Sequence, residues 1–369
     1  MLRQLRILLI PLAFALALPI LASQPASAGQ PVGGGTVAGG TVAGGTTNER
    51  GKAAAGWLAG QLKNGTHLQS CFGGQCFPDY GLTADAVIGM ASTKSAGKAI
   101  SRATGWLAGH AGAYIGATDG TGPYPGAYAK LALTAEVTGR APTAFGGVDL
   151  LARLRALQCP HVGCTSGQRG EFRNARKDGG YPNVITQSLA IVALSRSTRA
   201  ADRAAVPAAV RFLKQQQCSP TSGYPAFFPA GGACAAEVDA TAFAVQALLA
   251  AHSRLAGAAG WLAAQQQRNG GFAANGTVNA NSTGLAIQAL SAAGRPTAAA
   301  QKYLAGLQLR CSAARANRGA ISYDGVATYK AATAQRATPQ GIFGFSRVSL
   351  AKVSAAGARP GALRLACAR

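Results

Sequence analysis

The stretch "QQQRNGGFAANGTVNANSTGLAIQAL", Gln265 to Leu290, holds an amide-rich helix end, a tight turn, a polar loop and a fresh run of small and apolar residues. An Asn or Gly at positive φ ends a helix at little steric cost, and a second Gly lets an aromatic ring fold back over the helix end. Gln266, three residues before Asn269, is placed to bond the exposed backbone of that turn. "NSTGLAIQAL" then starts a second helix, with Asn and Ser as its start signal and apolar residues at helical spacing. The unit is a pair of helices joined by a structural clamp made of Gln266, Asn269, Gly270, Gly271 and Phe272.

The unit recurs. "AAGWLAAQQQRNGGF" at Ala258 is echoed by "AAGWLAGQLKNGTH" at Ala54 and "ATGWLAGH" at Ala103, and more weakly near Leu150, Ala209 and Ala300. The anchors Trp57, Trp106, Leu154, Phe212, Trp261 and Tyr303 mark six copies, each 42 to 58 residues after the last. Second halves follow at "TADAVIGMAS" from Thr83, "YPGAYAKLALTAEVTG" from Tyr124, "ITQSLAIVALS" from Ile185, "VDATAFAVQALLA" from Val238, "NSTGLAIQALSAAG" from Asn281 and "ATPQGIFGFSRVSLAKV" over Ala337 to Val353. Ala, Gly and Ser in the second helices suit the close approach of an inner ring. Trp, Arg and Lys in the first helices suit an outer ring with one wet face. Strand signals are poor, so the fold class expected is all-α: an α/α toroid, or (α/α)6 barrel, of six helical-hairpin repeats.

Residues 1–28 read as a secretory signal peptide, with Arg3 and Arg6 before an apolar run and "ASA" ending at Ala28. Residues 29–50, with "TVAGG" twice, read as a Gly-rich flexible linker, and 51–369 as the toroid domain. Export places the chain outside the cell, where its eight cysteines are expected to pair with sequence neighbours: Cys71 with Cys76, Cys159 with Cys164, Cys218 with Cys234, and Cys311 with Cys367. "CPHVGC", with His161 between two cysteines, leaves a zinc site as the minor alternative, and no metal is expected. The formal net charge is +23, and twelve Lys and Arg face the single acid Asp324 from Gly294 onward. Such a field favours an anionic cell-wall polymer or a membrane surface as partner, not nucleic acid, or else only solubilises the chain. The oligomeric state is not legible.

"Q-x-x-N-G-G-F" from Gln266, followed by "STGLAIQAL", resembles the repeat of squalene and terpenoid cyclases and protein prenyltransferases. That resemblance implies an α/α toroid whose inner helices surround a cavity open at one end, and it makes the clamp stabilising and not catalytic. Cyclase chemistry needs an Asp-rich motif, and "EVDAT" lacks the D-x-D-D pattern; no D-D-x-x-D pattern is present, and no Asp, Cys and His set can be placed as a zinc site. The family's chemistry is not carried over, and no cofactor is expected.

The candidate ligand-binding residues are Asp85, Tyr124, Tyr181, Tyr224, Glu237 and Asp239. Asp85 and Asp239 open inner helices, where a carboxylate caps free N–H groups. Each of the three tyrosines precedes Pro at a turn, which offers packing over helix ends or an aromatic platform for an apolar ligand or sugar. Twelve acids in all argue against a polysaccharide hydrolase on a similar ring, which needs a positioned pair of carboxyls. The function expected is a secreted toroid that binds an apolar or amphipathic small molecule in its central cavity, or a cell-envelope component, without established catalysis. The alternatives are a divergent terpenoid-cyclase-like enzyme and a cobalamin-carrier-like binding protein.

Overall fold

Helices that are apolar on every side must be covered on every side. Six such helices lie side by side in a closed ring in the computed structural model: Tyr80–Ser92 (α2), Pro125–Val137 (α5), Val184–Arg196 (α7), Val238–Ala250 (α9), Ala280–Ala292 (α11) and Ala331–Ser346 (α13). The structure describes residues 46–116, 122–162, 164–174, 182–228, 233–365 and 367. The signal peptide and nearly all of the linker, as well as Tyr181, lie outside the described residues.

Six more helices pack outside this ring: Thr47–Gly60 (α1), Gly97–Gly109 (α3), Leu150–Ala156 (α6), Ala200–Gln215 (α8), Ala258–Ala264 (α10) and Ala298–Gly306 (α12). The short Ala111–Tyr114 (α4) extends α3. Helix α1 begins within the stretch read as linker, because Thr46 and Glu49 form a capping box there. The outer helices are amphipathic in the expected way: α3 buries Ala99, Ile100, Ala103 and Leu107 and leaves Lys98, Ser101 and Arg102 wet. The six hairpins and their closure into an α/α toroid follow the repeat seen in the sequence.

Small residues set the spacing of the inner ring. A Cβ on Gly284 of α11 would lie 2.1 Å from the Gln340 carbonyl oxygen of α13, so only glycine allows those backbones to meet. Ala190, Ala244, Ala247, Ala286 and Ala289 are fully buried, and the interior of the ring is filled with alanine and aliphatic side chains.

In the opening stretch, Gly270 takes φ +91, Asn269 Oδ1 accepts from the Gly271 N–H at 3.0 Å and Gln266 Nε2 donates to the Gly270 carbonyl at 2.9 Å. Phe272 is fully buried. Its N–H donates to Thr283 Oγ1 at 2.9 Å, on the fourth residue of α11. The same bond joins Leu68 to Thr83, Phe172 to Gln187, Tyr224 to Thr241 and Ile321 to Thr338. It pins each of these turns to its inner helix, at the fourth helical residue in four repeats and at the eighth, Thr338, in α13.

Three features differ from the sequence reading. Two short antiparallel hairpins are present, Gln69–Phe72 (β1) with Gln75–Pro78 (β2), and Phe272–Ala274 (β3) with Thr277–Asn279 (β4). Their turns fold locally, with Gly73, Gly74 and Gly276 at positive φ, so no alternating pattern was needed to announce them. The sixth inner helix stops at Ser346, where Arg347 takes φ +57. The segment 347–361 is a strap across the C-terminal end of the ring: Gln288 donates to its Val348 carbonyl, Arg196 donates to its Leu350, Ala351 and Val353 carbonyls, and its Leu350 N–H donates to Gln246 Oε1. Further along, the Ala355 N–H donates to Val137 and the Arg359 N–H to Lys94. All four disulfides join the expected neighbours, among them Cys311 with Cys367, which ties the end of the strap down. Such bonds suit an oxidising compartment. Among the described residues, no helix is long and apolar enough to cross a membrane.

Candidate functional site

The inner helices run parallel, so their N-terminal turns share one end of the ring. With the buried Thr or Gln that receives each turn as reference, the residues two places before it are Gly81, Ile185, Asp239, Asn281 and Arg336, with Gly126 before Tyr128 of α5. Two places after it stand Asp85, Lys130, Leu189, Phe243, Leu285 and Gln340. Gly81, Gly126, Ile185, Asp239 and Asn281 keep partial exposure, while the following turns of their helices are almost wholly buried. This is the mouth of the toroid, and its polar groups form a collar.

Part of the collar can be followed from helix to helix. Asp239 of α9 bonds Ser282 of α11. Asn281 Nδ2 of α11 donates to Gln340 Oε1 of α13 at 2.6 Å and to the Arg336 carbonyl at 3.1 Å. The Arg336 guanidinium donates to Asp79 at 3.2 Å, and Asp79 also takes the Ser70 hydroxyl at 2.5 Å. Lys130 Nζ of α5 meets Asp85 of α2 at 2.9 Å.

The carboxyls of the collar differ in environment. Asp85 is not a cap: Asp79 caps α2 by accepting from the Leu82 N–H, and Asp85 stands one turn further in. Burial pushes the Asp85 carboxyl up and the Lys130 ammonium pulls it back. Burial alone would lower Lys130, but Asp85 and Tyr114 carry it above its ordinary value, so the two groups meet as an ion pair. Glu237 is the cap of α9, accepting from Ala240 at 2.7 Å, and burial raises it. Asp239 therefore does not cap either. Burial, with the Glu237 charge beside it, pushes its carboxyl up to about 7, against the Ser282 hydrogen bond. Its Oδ1 is buried without a hydrogen-bond partner. A carboxyl so placed still carries its proton in part at neutral pH and has one oxygen free for an incoming group.

The two described proline-linked tyrosines, Tyr124 and Tyr224, do not meet at the mouth. Tyr224 is fully buried in the core, and burial pushes its hydroxyl up to about 12. Tyr124 is half-buried at the start of α5. The aromatic cluster beside the mouth is a different one, centred on the repeat anchor Trp106: it stacks on His67 and His110 at 4.3 Å and on Tyr80 at 5.3 Å, and Tyr80 meets Tyr114 at 5.8 Å. Tyr114, lifted to about 12 chiefly by burial, feels the charges of Lys130 and Asp85 and joins the cluster to the ion pair.

Lys130 and Arg336 escape a search by residue type alone, and Asn281 and Ser282 read there only as a helix start signal. Aligning the inner helices on Thr83, Thr241, Thr283 and Thr338 would have found Asn281 and Arg336, each two residues before its reference. All eight cysteines are disulfide-bonded, so "CPHVGC" offers no thiolate. Among the described residues, no group of three His, Cys, Asp or Glu is placed to hold a metal ion.

No protein-family model and no curated protein matches the chain. Solved structures do. An inactive double Asp-to-Asn variant of the alpha-1,6-mannanase of Salegentibacter sp. HEL1_6, in complex with alpha-1,6-mannotriose, is 12% identical with a TM-score of 0.59, over 83% of this chain and 100% of that one. The unsaturated glucuronyl hydrolase of Bacillus sp. GL1 is 11% identical with a TM-score of 0.54, over 83% and 96%. A protein from Actinoplanes is 16% identical with a TM-score of 0.54, over 82% and 99%. At such identities the likeness is one of fold, and the fold is the α/α toroid.

Proposed function

We propose that the mouth of the ring binds a carbohydrate chain and cleaves it, with Asp239 as the proton donor. The observation that carries the reading is Asp239 itself, with its raised carboxyl, its free Oδ1 and its place on the first turn of an inner helix. Asp85, paired with Lys130, is the complementary group. Their helices, α9 and α2, stand three places apart in a ring of six, hence on opposite sides of the mouth. Glycoside cleavage uses two carboxyls: one protonates the leaving oxygen, and the other assists attack at the anomeric carbon from the far side. The aromatic cluster of Trp106, Tyr80 and Tyr114 flanks Asp85 and offers apolar ring faces to sugar C–H groups. The mannanase and the glucuronyl hydrolase lend support as toroids that act on glycans.

The test is a hydrolysis screen of alpha-1,6-manno-oligosaccharides and unsaturated glucuronyl oligosaccharides, with Asp239→Asn as control. Turnover that Asp239→Asn abolishes supports the reading, and undiminished turnover in that variant sinks it. The anomer of the first product then tells whether the carboxyls act with retention or inversion.

A second reading, binding without turnover, is favoured by the Asp85–Lys130 ion pair, which ties up the only other inner-helix carboxyl of the collar. Leu189, Phe243 and Leu285 on the same tier would give an amphipathic ligand its apolar contacts. Binding of the same oligosaccharides with no product formed would select it. Terpenoid-cyclase chemistry gains no support, because Asp239 sits at the rim and not deep in an aromatic chamber. Nothing at the mouth favours a cobalamin carrier.

A further inference from the structure

At the opposite end of the toroid, beneath the strap, lies a cavity of about 400 Å³. Four cations line it from four separate segments: Lys52 from α1, Lys94 from the turn after α2, Arg347 from the end of α13 and Arg359 from the strap. Among the described residues, none of the four is paired with a carboxylate. Lys94 Nζ donates to the Ala356 carbonyl at 2.9 Å. Glu49, the acid nearest in sequence, is turned into the capping box of α1 by accepting from the Thr46 N–H. Thr47 and Asn48, on the first turn of α1, also line the cavity. Cations at the ends of α2 and α13 are placed to meet helix carbonyls, but Lys52 and Arg359 stand at no helix C-terminus and have no such role. Like charges gathered around one space repel, and an anion seated among them removes that cost.

We propose that this cavity is a binding site for a phosphate ester of a small polyol or sugar, either free or as one unit of an anionic polymer. Four cations exceed what a single carboxylate neutralises, and arginine forks match phosphate oxygens two at a time. The volume is in the range of small-ligand pockets and exceeds the needs of a bare ion. The site is at the closed end and is independent of the chemistry proposed for the mouth.

The test titrates sn-glycerol 3-phosphate, inorganic phosphate, glycerol and anionic phosphatidylglycerol vesicles into the secreted chain at about 0.01 M ionic strength, where screening is weak. Saturable one-to-one binding of sn-glycerol 3-phosphate, tighter than that of inorganic phosphate and absent for glycerol, is expected. The Lys52→Gln/Arg359→Gln double variant should weaken it at least about ten-fold, as befits two lost charge-assisted contacts. The Lys214→Gln/Arg268→Gln variant removes the same charge from exposed positions elsewhere and should change it less than about two-fold. Absence of saturable binding, equal losses in the two variants, or binding of vesicles alone would each overturn the proposal. The last two outcomes would assign the attraction to the overall field of the protein.

Discussion

At the N-terminal end of the inner ring, Asp79, Glu237 and Asp239 stand on helix starts; at the C-terminal end, Lys94, Arg196 and Arg347 stand on or beside helix stops. Six parallel helices align their dipoles, so one end of the ring attracts acids and the other cations. The ends also differ in cover. The strap closes the C-terminal end with bonds to α5, α7, α9 and α11, while first-turn residues at the mouth keep partial exposure. The closed end is therefore where polar groups hold the fold, and the mouth is where a polar group is left over. Stability and chemistry should come apart when each end is altered in turn.

The largest separation is expected from Asp239→Asn, which should lower kcat by about 10²–10⁴-fold, the usual worth of a general acid, and leave the melting temperature unchanged or higher. Because the acid acts in its protonated form, the parent rate should fall as pH rises through about 7. Initial rates against pH, with a thermal melt of each variant, check both. A loss of rate matched by a loss of folding would erase the contrast between the ends.

Arg196→Ala attacks the closed end. It removes the donors to three strap carbonyls and the guanidinium 3.4 Å from the buried Glu136 carboxyl, and should cost at least about 1–3 kcal/mol in denaturant unfolding. Ligand binding at the mouth, measured on the fraction still folded, should survive. Thr283→Val probes the clamp common to five repeats. Leaving the buried Phe272 N–H unpaired should cost about 1–3 kcal/mol. A cost near zero would mean that the shared bond sets register without adding stability.

The closed end also carries a pH dependence. Burial lifts Glu136 to about 8 from an ordinary 4.5, against the pull of Arg196. The fold thus favours the protonated form, and this contribution is full below the unfolded value and lost as pH rises through about 8. Glu136→Gln should flatten the fall in stability between pH 5 and pH 9. An unchanged slope would place the titration elsewhere.

How much of this was legible depends on the range of the interaction. "AAGWLAAQQQRNGGF" and its echoes announced six hairpins, because helix periodicity and a clamp are written within a few consecutive residues. Neighbouring cysteines found each other for the same reason. The role of Asp85 was misread as a cap because its partner, Lys130, is 45 residues away and no local pattern joins them. Arg336 and Asp79 are 257 residues apart. "RVSLAKV" has helical spacing, yet it lies across the ring, because Gln246, Gln288 and Arg196 take up backbone groups that a helix would have satisfied internally.

The sequence by itself determined the repeat, the helix pairs, the clamp and the pairing of the cysteines, all products of local sterics and of the 3.6-residue period. Only the tertiary structure decided which carboxyl is buried beside which charge, which end of the ring a strap closes, and where four cations from distant segments share one cavity. The physical reason is that local conformation depends on neighbours in the chain. Burial and electrostatics depend on neighbours in space, and closing the ring is what brings those together.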